Sequence, residues 1–423
     1  MFILSGITTA GEGKTGTDNS KAIERTISAG QHYEYVSLMK LVNDTTINKL
    51  SEQLAQTPPM GWNSWNWFGK SNVNEKVVRE VIDAMVKEGL RDAGYNYIVV
   101  DGGWRDTTLG PNGELRANPR RFPGGMKALA DYAHSKGFKF GLHTVPGTHD
   151  CGGDKVGGYG HEEVQLQQFI DWGLDFIKLD KCKFSDGWNE ELLKDTYFKW
   201  SSLIKKSGKK IILSVSAYKF RNWNPEVSQM SRTTGDIMAK VNGGAMFDAK
   251  PRGAFHSVMD VAEENNLSAK YAGPGYWNDA DMLVTGAQGL SLEEQQVHFA
   301  LWCIMSSPLF LGNDPRFMSE GEKDIILNKE AIKINQDTTE QGKRIRAENG
   351  AEIWAKKLAG GKVAVLLLNR NSFEAKNITL YFNEVGIAGK ITIKDVYGHK
   401  DLGSFSKSIT RNIKPLSGLF LIL

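Results

Sequence analysis

Short apolar runs alternate with segments of helical periodicity from about residue 59 onward. The apolar runs YNYIVV, KFGLHTV, DFIKLD and IILSVS are rich in β-branched and aromatic residues, which is typical of buried strands. Between them, MKALADYAHSKG, EEVQLQQFIDWG and EELLKDTYFKWSSLIKKSG place apolar residues three and four positions apart, as one buried helix face requires. This order of elements predicts a parallel sheet joined by crossover helices.

The number of strand candidates favours a closed barrel. With MGWNSW, MSRTTGD, YAGPGYWNDADM and SSPLFLGND included, about eight candidates span roughly 280 residues, the size of a (β/α)8 TIM barrel. An open doubly wound sheet is the alternative. It normally carries a Gly-rich phosphate turn after its first strand, and DGGWRD does not fit G-x-G-x-x-G. We therefore predict an α/β chain with a (β/α)8 barrel over residues 57–337.

The two ends of the chain follow other patterns. After residue 338, short strands such as AEIWAKKL, KVAVLLLNR and NITLYF are separated by Gly, Asn and Lys turns, which predicts a C-terminal antiparallel β-sandwich domain at 338–423. Residues 1–56 form a segment of unknown role, in which TDNSKAIERTISA is typical of a capped helix. The stretch TTAGEGKT has Thr8 where a phosphate-binding loop needs its first Gly, so we do not expect nucleotide binding there.

The charge balance restricts the partners. Lys and Arg total 52 against 49 Asp and Glu, a formal net charge of +3, which gives no electrostatic basis for binding nucleic acid or an anionic membrane. No apolar run approaches the roughly 18 residues of a membrane span, and MFILSGITTAGEGK lacks the pattern of a signal peptide. We therefore expect a small, uncharged partner and no membrane insertion, and the oligomeric state stays open.

Polar residues follow the predicted barrel strands, where the active site of a (β/α)8 barrel is formed. Lys178 and Asp180 lie two positions apart on one strand, so both side chains should point toward the barrel mouth. A neighbouring ammonium favours the ionised carboxylate that a nucleophile requires. The other candidates at strand ends are Trp65, Asp101, Trp104, His143, Ser216, Arg232, Asp236, Asp279 and Asp281.

A second carboxylate, Asp236, should face Asp180 across the mouth from a strand two positions further around the barrel. Carboxyl groups about 5 to 5.5 Å apart define a retaining glycosidase, and about 6.5 to 9.5 Å defines an inverting one. The alternative is that Lys178 with Asp180, and Arg232 with Asp236, are structural ion pairs. Eleven tryptophans, several in polar Gly-rich settings, favour a sugar site, although Trp also fills large cores.

Seven motifs occur in order along the barrel region: TPPMGWNSWN, DGGW, KFGLH, KLDKC, RTTGDI, GPGYWNDADMLVTG and SSPLFLGND. Together they resemble glycoside hydrolase family 27, the α-galactosidase and α-N-acetylgalactosaminidase family. The resemblance implies a retaining exo-α-glycosidase, most similar to α-galactosidases, that acts on an oligosaccharide or polysaccharide without metal or organic cofactor. It implies that Asp180 is the nucleophile and Asp236 the acid/base. It also implies a sugar subsite at Lys178, Arg232, Asp101 and Trp65, to which we add the strand-end candidates Trp104, His143 and Ser216.

The three cysteines allow one disulfide and one free thiol. His143, His149, Cys151 and Cys182 lie close enough along the chain for a zinc site to be one interpretation. The family resemblance instead implies a disulfide between Cys151 and Cys182 beside the site, and hence an oxidising compartment, periplasmic or secreted. Cys303 lies in the apolar stretch VHFALWCIM and is predicted to be a packed core thiol.

Two departures from the family pattern leave the sugar open. Where the family usually has DDCW, this chain has Asp101, Gly102, Gly103 and Trp104, so one carboxylate that would hold sugar hydroxyls is missing. Ser216 stands where α-galactosidases carry a Glu that contacts the 2-hydroxyl. Galactose, a 2-acetamido sugar, a β-L-arabinopyranoside, another hexose as in an α-glucan, and a sugar-binding barrel without catalysis are the alternatives.

Overall fold

The computed structural model describes residues 53–423. The helix predicted from TDNSKAIERTISA and the loop around Thr8 lie outside these residues, as does most of the segment 1–56. The domain boundaries near residues 56 and 337 stay a prediction. Within residues 53–423, no helix is both long and apolar enough to span a bilayer.

Eight parallel strands form the first sheet, and helices connect them. The strands are β1 Met60–Asn63, β2 Tyr97–Val100, β3 Lys139–Thr144, β4 Phe176–Asp180, β5 Ile212–Ser216, β6 Met230–Arg232, β7 Trp277–Asp279 and β8 Leu309–Leu311. The helices are α1 Trp65–Asn72, α2 Glu75–Lys87, α3 Gly125–Ser135, α4 Glu162–Asp171, α5 Glu190–Ser207, α6 Asn224–Val227, α7 Val258–Leu267, α8 Leu292–Ile304, α9 Glu320–Ile326 and α10 Lys329–Gln336.

The sheet closes into a barrel. Its strands are hydrogen-bonded in the order β8-β1-β2-β3-β4-β5-β6-β7. A parallel bridge between Leu283, which follows β7, and Leu311 on β8 joins the two ends of the sheet. The (β/α)8 barrel predicted from the alternating pattern is confirmed.

Side chains alternate along each strand and so separate an inner from an outer apolar layer. Tyr97, Phe176 and Phe310, from β2, β4 and β8, meet inside the barrel with ring centroids 5.4 to 6.4 Å apart. The adjacent Ile98 and Ile177 belong to the outer core, which packs against the helices. Aromatic side chains therefore pack the barrel interior below the carboxyl ends of the strands.

Side-chain caps fix where helices begin. The Asn74 side chain accepts a hydrogen bond from the Val77 N–H before α2. Before α8, Ser291 accepts from the Glu294 N–H, and the Glu294 carboxylate accepts from the Ser291 N–H. These contacts satisfy N–H groups that the first helical turn leaves without an intrahelical partner.

Asp236 and Trp65 lie off the strands to which the sequence assigns them. β6 ends at Arg232, and Asp236 lies in a separate strand of two residues, Asp236–Ile237, which pairs with Phe255–His256. Trp65 does not end the first strand but begins α1. In both cases the side chain reaches the barrel mouth from the segment that follows the strand.

The C-terminal part is an antiparallel β-sandwich, as predicted. Its strands are β9 Lys343–Glu348, β10 Ala351–Lys357, β11 Val363–Asn369, β12 Lys376–Tyr381, β13 Ile391–Asp395, β14 Lys400–Phe405, β15 Ser408–Ile413 and β16 Ser417–Ile422. Six of them form one sheet in the order β9-β10-β11-β16-β13-β14, and β12 pairs with β15 in the other. The two sheets enclose an apolar core that includes Ile353, Leu367, Leu380, Ile393, Ile409 and Leu421.

A buried lysine joins the sandwich to the barrel. The Lys356 ammonium, on β10, donates to Ser306 Oγ and to the Asp337 carbonyl at 2.7 Å each, and also to the Ile334 carbonyl. These two carbonyls lie at the C-terminal end of α10, where a helix leaves carbonyl groups without an intrahelical partner. Burial lowers the pKa of Lys356 to about 8.

Replacing Lys356 by Met should lower the free energy of unfolding by about 2 to 4 kcal/mol, because buried carbonyls lose their donor. Urea unfolding followed by tryptophan fluorescence measures this change. Lys357→Met is the matched control, because Lys357 is the exposed neighbour on the same strand. Equal stability of the two variants would contradict a stabilising role for the Lys356 contacts.

Candidate active site

The carboxyl ends of the barrel strands surround a cavity of about 170 Å³. It is lined by seven of the nine residues that the sequence assigns to catalysis or substrate binding, namely Trp65, Asp101, His143, Lys178, Asp180, Arg232 and Asp236. The other lining residues are Asn66, Lys70, Gly102, Gly103, Arg105, Asp150, Cys151, Gly152, Tyr218, Asp281 and Met282. A cavity of this size with polar walls suits a small polar ligand.

Lys178 and Asp101 form a buried ion pair in the cavity wall. Lys178 Nζ lies 2.7 Å from Asp101 Oδ2, which also accepts a hydrogen bond from Asn63 Nδ2 at 2.8 Å. Burial by itself would raise the pKa of Asp101, but Lys178 holds that pKa well below its ordinary value. Burial would lower the pKa of Lys178, yet the carboxylates of Asp101 and Asp180 raise it. Both members of the pair are therefore charged at neutral pH.

Asp180 is ionised and lies against His143. Its Oδ2 lies 3.3 Å from His143 Nε2, whereas Oδ1 has no hydrogen-bond partner among residues 53–423. Burial opposes ionisation, but the His143 contact and the charge of Lys178 together lower the pKa of Asp180 below its ordinary value. A charged carboxylate in a cavity wall has the properties of a nucleophile.

Asp236 has the opposite electrostatic environment. Burial raises the pKa of Asp236 to about 6; Arg232 opposes this rise, while the charges of Asp281 and Asp180 add to it. Asp236 Oδ1 lies 3.4 Å from Arg232 Nη1, a weaker contact than that between Lys178 and Asp101. A carboxyl group whose pKa approaches neutrality can hold a proton and donate it.

Asp281 reduces the stabilisation that Arg232 gives to the ionised form of Asp236. Arg232 Nη2 lies 2.7 Å from Asp281 Oδ2, and the same oxygen accepts a hydrogen bond from the Ile237 N–H at 2.8 Å. Because Asp281 neutralises Arg232, the guanidinium stabilises the ionised form of Asp236 less than an unpaired cation would. The sequence analysis considered Asp281 only as one of two acids in WNDADM, and the structure places it in the cavity wall.

Trp104 and Ser216 do not line the cavity, contrary to the prediction. Trp104 is fully buried, and its indole N–H donates to the His143 carbonyl at 2.9 Å. Gly103 has a φ of +107°, so the chain bends sharply before Trp104 and turns the indole into the core. Ser216 is fully buried as well, with a hydroxyl that has no partner in the described part of the chain. Both side chains therefore lie in the protein interior and not in the cavity lining.

The lining residues that the sequence analysis missed include Arg105, Tyr218 and Met282. Burial and the charges of Asp180 and Asp236 raise the pKa of Tyr218, so its hydroxyl stays protonated and can donate a hydrogen bond. The only signal for Tyr218 and Arg105 is their position one to two residues beyond the strand-end candidates Ser216 and Trp104. In loops the two-residue alternation no longer predicts direction.

The chain matches known proteins along most of its length. A family model described as Alpha galactosidase A matches residues 57–337, and one described as Alpha galactosidase C-terminal beta sandwich domain matches residues 348–423. The chain belongs to the alpha galactosidase A family. It is therefore a glycoside hydrolase.

Relatives of this galactosidase-family chain come from plants, bacteria and fungi. The α-galactosidase of Oryza sativa subsp. japonica is 37% identical over 365 residues, covering 84% of this chain and 83% of the relative. The α-galactosidase A of Cellvibrio japonicus is 41% identical over 325 residues, or 75% and 77% of the two chains. The crystal structure of α-galactosidase I from Mortierella vinacea has a TM-score of 0.82 at 30% identity, covering 88% of this chain and 98% of that one.

In this galactosidase-family enzyme a disulfide between Cys151 and Cys182 borders the cavity, as the family resemblance implies. The zinc interpretation is wrong, because each sulfur is bonded to the other and neither can serve as a thiolate ligand. Ligand atoms of His143, Asp180 and Cys182 do lie within 4.8 Å of one another, but the sulfur among them is the one held in the disulfide. Cys303 is a buried free thiol, as predicted.

Thiol labelling of the denatured galactosidase-family enzyme checks the pairing. Without reductant, one of the three cysteines should react, because only Cys303 lies outside the disulfide. After reduction, all three should react. Mass spectrometry of the labelled chain counts the reacted thiols, and three labels without reductant would contradict the disulfide.

Proposed function

We propose that this glycoside hydrolase releases terminal α-linked galactose from oligosaccharides or polysaccharides with retention of the anomeric configuration. One observation carries the proposal: two carboxyl groups line one cavity, and their pKa values are shifted in opposite directions, that of Asp180 downward and that of Asp236 to about 6. A retaining glycosidase needs an ionised nucleophile and a protonated acid over one sugar ring. The α-galactosidase names of the relatives support galactose as the sugar.

The reaction has two displacements. In the first, a carboxylate oxygen of Asp180 attacks the anomeric carbon, the bond from that carbon to the leaving oxygen breaks, and Asp236 gives its proton to this oxygen. The sugar is then held as an ester on Asp180. In the second, the ionised Asp236 takes a proton from water, whose oxygen attacks the anomeric carbon and displaces the Asp180 carboxylate.

The remaining walls support sugar binding. Lys178 offers N–H donors and Asp101 a carboxylate acceptor, and hydroxyl groups can use both at once. Trp65, which is half-buried in the lining, offers an aromatic surface on which the C–H face of a sugar can pack. Each of these groups is fixed by contacts within the protein, so little side-chain entropy is lost on binding.

We also propose that the enzyme works in an oxidising compartment, such as the periplasm or the extracellular space. The support is the disulfide between Cys151 and Cys182, because reducing compartments keep cysteine thiols in the reduced form. The proposed substrates, oligosaccharides and polysaccharides, fit a location outside the cytoplasm.

Replacing Asp180 by Ala should reduce kcat on an aryl α-galactoside by about 10⁴-fold or more, because the glycosyl ester on Asp180 can no longer form. Asp186→Ala is the matched control, because Asp186 is an exposed acid six residues further along the chain. Steady-state kinetics on both variants measures the change. Wild-type activity in Asp180→Ala would rule out Asp180 as the nucleophile.

The pH dependence of kcat/KM should be bell-shaped on a substrate with a poor leaving group. Activity requires ionised Asp180, whose pKa is lowered, so it should rise with pH on the acid side. It also requires protonated Asp236, so it should fall as the pH passes about 6. In Asp236→Asn, activity should drop by about 10²- to 10⁴-fold and the fall above about pH 6 should disappear, because Asn does not titrate. An unchanged profile in this variant would exclude Asp236 as the acid.

A further inference from the structure

Arg105 is a buried cation without a carboxylate partner in the cavity wall. Its residue is 7% exposed and it lines the cavity. The guanidinium contacts Thr144 Oγ1 and His143 Nδ1 at 3.4 Å each, which is long for a hydrogen bond. Within residues 53–423 no carboxylate lies within 4.0 Å of it. A buried Arg is normally paired, since its five N–H donors are costly to remove from water.

The other cations of the inner wall are paired. Lys178 lies 2.7 Å from Asp101, and Arg232 lies 2.7 Å from Asp281. The acids around Arg105 act on it only from a distance: Asp150 is the strongest, followed by Asp101 and Asp180. Asp150 is itself held by the Asp154 N–H at 2.9 Å. The planar Arg fork matches a carboxylate or sulfate, and in this cavity no protein group fills that role.

The wall beside Arg105 also lacks an acid that the family pattern has. Gly102 occupies that position, and a Cβ there would meet Trp65 Cζ3 at 3.1 Å. Next to it, a Cβ on Gly103 would lie 2.5 Å from the Lys70 carbonyl oxygen, so the glycine lets the Lys70 backbone approach. Lys70 is exposed and lines the cavity mouth. Compared with a wall that has two adjacent acids, this wall has one negative charge fewer, at Gly102, and it contains the buried positive charge of Arg105.

We propose that Arg105 receives an anionic group on the α-linked sugar, so that the enzyme prefers an acidic sugar, such as an α-galacturonide or a sulfated α-galactoside, over neutral galactose. This inference rests on the proposed function, because it uses the same cavity and the same two carboxyl groups. Gly102 spares the anion the repulsion that a second Asp would cause, and Arg105 neutralises the anion. The expectation of an uncharged partner, drawn from the net charge of the whole chain, is thereby revised for this site.

A purely structural role for Arg105 makes a different prediction. The guanidinium can only donate, so its contact with His143 Nδ1 would fix the tautomer in which Nε2–H donates to Asp180. Loss of that support would lower activity on neutral and acidic glycosides by the same factor. Anion recognition instead predicts a loss that depends on the charge of the substrate.

Binding to the intact enzyme tests the inference without turnover. Calorimetry should show free galacturonate, or galactose 6-sulfate, binding at least about tenfold tighter than galactose, because the anion gains a charged partner in a buried site. The acid that binds more tightly identifies the group. Galactose binding as tightly as both acids would overturn the inference.

Kinetics on three aryl glycosides, the α-galactoside, the α-galacturonide and the 6-sulfated α-galactoside, provides the second test. Arg105→Gln should lose about 30- to 1,000-fold more in kcat/KM on the preferred acidic glycoside than on the neutral one. Arg120→Gln, an exposed Arg in the same loop region, is the matched control. Gly102→Asp should shift the preference back toward the neutral sugar, because it adds a negative charge at the same wall.

The outcomes separate the two proposals. Equal losses on all three glycosides in Arg105→Gln, with no change of preference in Gly102→Asp, would leave Arg105 as a positioning residue for His143 and overturn the anion site alone. If Asp180→Ala instead hydrolysed the galactoside as fast as the wild-type enzyme, the proposed function would be overturned.

Discussion

The buried ion pair between Lys178 and Asp101 determines the charges on which this site depends. At 2.7 Å in a poorly hydrated wall, neither group can lose its charge without leaving the other unpaired, which is costly. The His143 contact and the permanently charged Lys178, two positions along the same strand, together keep the Asp180 carboxylate ionised. On the other side of the cavity, Arg232 is already neutralised by Asp281, so Asp236 lacks equivalent support and keeps a pKa of about 6. One wall therefore keeps Asp180 ionised, and the other allows Asp236 to hold a proton.

The fold makes this difference possible. Tyr97, Phe176 and Phe310 fill the barrel interior, so the polar groups at the strand ends stand on a packed floor. Asp180 lies on a barrel strand, whereas Asp236 lies on a two-residue strand after β6 that pairs with another short segment. Two carboxyl groups placed by different kinds of element can have different surroundings although both face the same sugar-sized space.

The sequence predicts the parts of this arrangement that regular elements fix. Alternation of strand and helix predicts the barrel, and the two-residue period of β4 predicts that Lys178 and Asp180 share a face. Prediction fails where the backbone leaves a regular element: Gly103 turns Trp104 into the core and leaves Arg105 in the wall, although the strand-end pattern favours Trp104. In the sandwich, strands β9, β14 and β15 are missed, because they are polar and largely solvent-facing and so lack an apolar run.

The central claim is that Asp180 becomes covalently linked to the sugar while Asp236 acts as general acid and base. Trapping the covalent intermediate tests this claim most directly. A 2-fluorinated galactosyl donor with a good leaving group slows both displacements and should accumulate the ester. Peptide mass spectrometry should then find the added sugar on the peptide that contains Asp180, and the label should disappear in Asp180→Ala. A sugar attached to another residue, or efficient turnover with no labelled peptide, would contradict the account.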